Sequence, residues 1–353
     1  NDNLLRIPIR FLLQEYLWKG YLRPMIRYLL ILFKKNNLPS DIILASERIY
    51  LSYLQHMVFC EYFKVKVFLS RDDYDVDHIL RTIVQEKYST INAGLQHSAL
   101  IGPVLLPFSA HVFFHRYYIS GNGLKEMWRP YWDSNISMKS VGPHRDNSVL
   151  EALNDKDISQ RFKEKYKRKK TVLLLFSHPD EKYSPTWLLR RKYKGIEKIL
   201  ELDNSLHIIV RPRLYQSVIA FKDMFPELKK FVDSGRISIE IDDFTTQELV
   251  ANSDICIAED GSSLLIESCF IDTLYLISLN SRYPTHSFLE AITAENMDEI
   301  TIMISNFLER GIPNEARETY KYLQDNYTVQ PSGKTWFRIA EDINNKYLKP
   351  NVS

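Results

Sequence analysis

A repeated alternation along the chain constrains its fold more than any other feature: short apolar runs rich in Val, Ile and Leu take turns with longer stretches spaced like helices. From Asp41 onward DIILAS (41–46), VKVFLS (65–70) and STINAGLQH (89–97) read as strands, separated by helix-like Arg48–Phe63 and Asp77–Tyr88. Such alternation is the mark of βαβ units and a parallel sheet. A further apolar segment, Ala110–Tyr118, leads into a helix around Gly123–Trp128, and the turn-rich Ser140–Arg145 (SVGPHR) closes this half. Asp155–Lys170 ends in the basic run KYKRKK and reads as a linker.

After it the rhythm restarts. Strand-like TVLLLFS, LHIIVRP, ISIEID, DICIAE and TLYLISL alternate with helices near Arg191–Leu202, Ile219–Asp233 and Thr246–Ala251 and one starting at Ser263. Glu315–Tyr347 reads as helical, packing back across both halves. With ~100–200 residues per domain, 353 residues divide into domains 1–160 and 161–353. The class is α/β, two Rossmann-type domains facing each other across a cleft that would hold the active site.

Composition removes several alternatives. Lys and Arg number 46 against 44 Asp and Glu, a formal charge of +2, so no global field draws the chain onto nucleic acid. Cys60, Cys256 and Cys269 are too few for a disulfide framework and point to a reducing cytosol. The nine histidines are scattered without metal-ligand spacing, and no metal or cofactor is expected. No Gly-Lys-Ser/Thr phosphate loop, Gly-x-Gly-x-x-Gly fingerprint or Gly-x-Ser-x-Gly elbow occurs, which argues against NTPase, dehydrogenase and hydrolase chemistry. Leu4–Asn37 interleaves Arg6, Arg10, Lys19, Arg23 and Arg27 with Phe11, Trp18 and Leu22. It reads either as an amphipathic helix pair capping the first domain or as a peripheral contact with the inner membrane.

Three turns in the second half carry candidate chemistry. After DICIAE the run Asp260-Gly261-Ser262-Ser263 leads to Glu267; amides and hydroxyls of such a turn bind phosphate, and Glu267 accepts ribose hydroxyls, although capping chemistry gives the same spelling. Arg211-Pro212-Arg213 ends an earlier strand, and guanidinium forks suit phosphate. Phe176-Ser177-His178 ends the first strand of this half, with His178 in reach of a phosphate.

In this order the motifs resemble the donor-binding domain of GT-B glycosyltransferases, in particular the bacterial surface-carbohydrate group of CMP-sugar (Kdo-transferase-like) and CDP-glycerol-type transferases. Those enzymes often carry His-Pro where this chain has Arg211-Pro212. In the first half Gln96-His97-Ser98 is similar to the family's Gln-His-Gly turn, and Val141–Asp146 to the turn that ends its first domain. The resemblance implies an acceptor-side first domain and a nucleotide-sugar-binding second domain. Arg211, Arg213, Gly261, Ser262, Ser263, Glu267 and His178 would hold the donor. His97 would be the catalytic base, with Asp73 or Asp72 as base or nucleophile. The expected activity is metal-independent transfer of a sugar, Kdo or another acidic sugar among the candidates, to lipopolysaccharide, capsule or a related glycan in the cytoplasm. The rival is a catalytically inactive module of the same fold that binds glycan or a partner protein.

Overall fold

The computed structural model describes residues 40–71, 77–96, 112–130, 136–167, 170–175, 195–211, 226–259, 262–280 and 286–349. Among them, two all-parallel sheets form, one of four strands and one of six. The first contains β1 (Val67–Ser70), β2 (Ile91–Leu95), β3 (Arg116–Ile119) and β4 (Ser137–Ser140), in that spatial order. Helix α1 (Ser40–Phe63) precedes β1, and the crossovers include α2 (Asp77–Glu86) between β1 and β2 and α3 (Asn122–Trp128) between β3 and β4. Beyond β4 follow α4 (Asp146–Asn154) and α5 (Lys156–Lys165).

The second sheet uses β5 (Lys170–Leu175), β6 (Leu206–Val210), β7 (Ile237–Ile239), β8 (Ile255–Glu259), β9 (Tyr275–Leu279) and β10 (Thr293–Ala294). Their order is β10-β9-β8-β5-β6-β7. From β5 the chain first winds outward through β6 and β7, then crosses back beside β5 and winds the other way. This is the doubly wound topology, and its switch point lies between the carboxyl ends of β5 and β8. Val172, Leu173, Leu174, Ile208, Ile209, Ile255, Cys256 and Ile257 are all buried, because helices cover both faces of a parallel sheet. The helices include α6 (Ile196–Leu202), α7 (Lys229–Asp233), α8 (Thr246–Asn252), α9 (Leu264–Ser268) and α10 (Met297–Arg310). Helix α8 starts with a capping box: the Thr245 side chain accepts from Glu248 N while the Glu248 carboxylate accepts from Thr245 N.

Two segments differ from the sequence reading. DIILAS is the first turns of α1 and not a strand; nothing of turn chemistry separates it from Arg48–Phe63, and Pro39-Ser40-Asp41 before it is a helix start. The segment read as a linker is α5, whose N-cap Asp155 accepts from Asp157 N and Ile158 N. Ile158, Phe162 and Tyr166 recur every four residues, and the buried Phe162 and Tyr166 rings pack with Phe244 of the second domain. The 160/161 division falls inside this helix. Cys60, Cys256 and Cys269 are buried free thiols.

The chain ends by returning to the first domain. Helix α11 (Asn314–Tyr327) packs against α3, and α12 (Thr335–Ile343) lies on the first sheet, where Ile339 joins Ala93, Leu95, Tyr118 and Val141 in a separate apolar cluster. Asp342 fixes it there. Its carboxylate takes a two-pronged bond from Arg116 (Nε to Oδ2 and Nη2 to Oδ1, both 2.9 Å), one from Tyr118 Oη at 2.9 Å and one from Lys139 Nζ at 2.8 Å. Among the described residues no helix is long and apolar enough to cross a membrane.

Candidate functional site

The crevice at the switch point of the second sheet faces the carboxyl edge of the first. On the second-domain side β8 ends at Glu259, and Ser262 N donates to Glu259 O at 3.0 Å, closing a tight turn. Ser262 Oγ accepts from Leu264 N at 3.3 Å, so this hydroxyl does the capping work that its position in the sequence also allowed. Ser263 instead bonds the side chain of Glu267, one turn on. Glu267 is only 1% exposed, and its Oε1 has no hydrogen-bond partner. Burial pushes the Glu267 carboxyl above the usual range; Arg145, the Ser263 bond and Arg71 oppose that rise, while Asp146 adds to it.

Those opposing charges come from the first domain. Arg71 directly follows β1, and His144 and Arg145 follow the turn after β4. Arg71 Nη1 sits 3.0 Å from His144 Nε2, and because a guanidinium only donates, His144 accepts at Nε2. Helix α4, which begins just past Arg145, packs against both α8 and α9 and so sets this edge against the serine turn. Two cations of the first domain thus ease the burial of one carboxylate of the second, whose Oε1 has no hydrogen-bond partner. Buried acceptors are ordinarily satisfied, and the Glu267 Oε1 atom is among the few buried side-chain atoms of the described residues left without a partner.

The turn itself is held by the C-terminal helix. Gly142 has φ +99°, a left-handed value, and a Cβ there would lie 2.6 Å from Thr335 Oγ1. That hydroxyl bonds Val141 O at 3.1 Å and Pro143 O at 2.9 Å. Asp146, buried and with its carboxyl raised chiefly by that burial, accepts from Gly333 N at 2.8 Å. Gly142→Ala should therefore destabilise the protein by ~1–3 kcal/mol, seen as a lower melting temperature. Gly235→Ala, also at positive φ but with nothing within 4 Å of its Cβ, should cost less, since it adds strain without the clash.

Of the sequence-derived candidates, Ser262, Ser263 and Glu267 come together at the crevice. Arg211 follows β6 as foreseen, but its Nη1 donates to Glu240 O at 3.1 Å and to Ile241 O, which turns the guanidinium to the β7 side of the strand ends. His97, Asp72, Asp73, His178, Arg213 and Gly261 lie outside the described residues. Sequence reasoning assigned no role to Arg71, His144 or Arg145, although the Pro143-His144-Arg145 turn was visible; their shared signal is contact across 73 residues. Among the described residues, no group of His, Cys, Asp and Glu is arranged to hold a metal ion.

A doubly wound second domain, a parallel first domain and a final helix returning to the first sheet decide the architecture. The chain has a GT-B fold. No family model and no curated protein matches the sequence, but solved structures align over most of it. A glycosyltransferase from Rickettsia africae aligns with TM-score 0.53 and 11% identity, over 88% of this chain and 84% of its own. A Listeria monocytogenes protein assigned as a UDP-N-acetylglucosamine 2-epimerase gives 0.61 and 10%, over 85% and 79%. The wall teichoic acid polymerase TagF gives 0.54 and 13%, over 79% and 72%.

Proposed function

We propose that this GT-B chain is a glycosyltransferase that takes a sugar from a nucleotide donor and adds it to a bacterial surface glycan. The observation that carries the proposal is the buried Glu267 oxygen without a partner, at the switch-point crevice of a doubly wound sheet. Glu267 would accept the ribose hydroxyls, the Gly261-Ser262-Ser263 turn would hold phosphate, and Arg71 and Arg145 would offset the donor's negative charge from across the cleft. Arg213 and His178 are further donor contacts in this reading, and Arg211 is one only through the guanidinium nitrogens that β7 does not engage. His97, or the Asp72/Asp73 pair, would act at the anomeric carbon without a metal. A CMP-linked acidic sugar such as Kdo, and lipopolysaccharide or capsule as acceptor, follow from the resemblance of the motifs; the names of the structural neighbours support UDP-sugars equally. The enzyme would work in the cytoplasm, with Arg6, Arg10, Lys19, Arg23 and Arg27 touching the inner membrane.

Calorimetry with UDP, CDP, CMP and GDP tests the reading, with sub-millimolar binding of at least one nucleotide as the expected result. No binding at millimolar concentration would point to the inactive, glycan- or partner-binding module. The Listeria relative, at TM-score 0.61, favours a second reading, epimerisation of the donor itself. Incubating the protein with UDP-N-acetylglucosamine alone separates the two: a new 2-epimer by NMR, with no acceptor present, supports the epimerase.

A further inference from the structure

Trp336 stands in the first turn of α12, at the cleft edge of the first sheet, and is 49% exposed. Single exposed aromatics are common and by themselves mean nothing. This one is held in place: its Nε1 donates to His144 O at 3.1 Å. The same His144 receives Arg71 Nη1 on its ring. One residue thus uses its backbone to fix an indole plane and its side chain to fix a guanidinium. Arg71 directly follows β1 and His144 lies in the turn after β4, so the pair stands at the carboxyl edge of the first sheet. Arg71 spends one of its five N–H donors on His144 and has no other bond among the described residues.

We infer that Trp336 and Arg71 form a binding subsite for an acidic pyranose, the acceptor-side sugar of the reaction proposed above, and this assignment of role rests on that reading. A pyranose has one face of axial C–H bonds, which lies flat on an indole and leaves its hydroxyls at the rim. Trp combines a large apolar plane with a polar edge, and here the polar edge is already occupied by His144, leaving the plane to the ligand. A carboxylate on the sugar ring matches the planar fork of arginine, which donates two parallel bonds. The substrate class named by this juxtaposition is a uronic-acid-type glycan end rather than a neutral one.

The test uses the full chain and two simple probes, methyl glucuronide and methyl glucoside, followed by intrinsic fluorescence and calorimetry. The glucuronide should bind and quench Trp336, about tenfold more tightly than the glucoside. W336A should weaken glucuronide binding by about tenfold or more, while W336F, which keeps a ring but loses the bond to His144, should weaken it less. Binding of UDP to W336A should match that to the unaltered protein, which shows the variant is folded and separates this subsite from the nucleotide crevice. Glucuronide bound without any nucleotide binding would keep the glycan subsite and remove the glycosyl-transfer reading. Absence of binding by either glycoside, or W336A binding glucuronide as well as the original, would overturn the subsite. Equal affinity for the two glycosides would overturn the part assigned to Arg71.

Discussion

Glu267→Gln should weaken nucleotide binding roughly ten- to a hundred-fold while leaving the melting temperature unchanged or higher. The two effects have opposite sign for one reason. Hydrogen bonds to a charged acceptor are worth ~1.5–3 kcal/mol, and a ribose donating to Glu267 would lose that when the carboxylate becomes an amide. In the free protein the same carboxylate is a burden, since it is 1% exposed and its Oε1 has no partner. Removing the charge relieves the burial that pushes its carboxyl upward. The sign with pH follows. A carboxyl raised in the folded state binds a proton more readily there than in the unfolded chain, so its penalty is complete above the folded value. As pH falls through that value the penalty is relieved, and the relief is complete below the ordinary carboxylate range. Glu267→Gln should therefore gain most in thermal stability at neutral pH, and the gain should shrink in acid. A Glu267→Gln protein with unaltered affinity for every nucleotide that binds the original would reduce Glu267 to a helix residue bonded to Ser263.

Much of this architecture is legible in the sequence because buried parallel strands announce themselves. Runs such as Val172–Leu175 and Ile255–Ala258 are apolar on both faces, and no helix of comparable length needs that. Periodicity failed where an apolar run was short and led directly into a helix, as in Ile42–Ala45 at the start of α1. It failed again at α5, where the charges of Lys156–Lys170 masked a stripe that shows only at every fourth residue. The site was legible in part for a different reason. Ser262, Ser263 and Glu267 are local in sequence, so a strand-turn-helix pattern is enough to place them at one strand end. Arg71, His144 and Arg145 join them only because two strands on opposite edges of the first sheet end at the same side. Trp336 depends on a helix nearly two hundred residues farther along. The direction of Arg211 was beyond reach for the same reason, since the carbonyls of Glu240 and Ile241 that draw it lie just past the end of another strand, β7.

The largest loss of stability is expected from Asp342→Ala. Asp342 receives Arg116, Lys139 and Tyr118 together, with side chains of Arg116 and Asp342 only 9% and 11% exposed. A buried ion pair is not strongly stabilising against an apolar replacement, but breaking one by removing a single partner leaves a charge without compensation, at ~3–5 kcal/mol. Here the stranded group is the Arg116 guanidinium under α12. The expected outcome is a markedly lower melting temperature, with α12 released from the first sheet. Because Thr335 and Gly333 on that returning segment also hold the turn that carries His144 and Arg145, nucleotide and glycan binding should weaken along with stability. Burial alone would raise the Asp342 carboxyl, yet the bonds from Lys139, Arg116 and Tyr118 outweigh it and hold it below the usual range. A lowered carboxyl contributes stability that is fully present above its unfolded value, ~3.9, and is lost as pH falls through its folded value. Thermal unfolding across that acid range should show the original protein losing stability that Asp342→Ala no longer has to lose, so the two curves should converge. A double replacement, Asp342→Leu with Arg116→Met, should recover much of the loss, because it removes the stranded charge as well as its partner. If the double variant is no more stable than Asp342→Ala, the cost comes from packing of α12 and not from the uncompensated arginine.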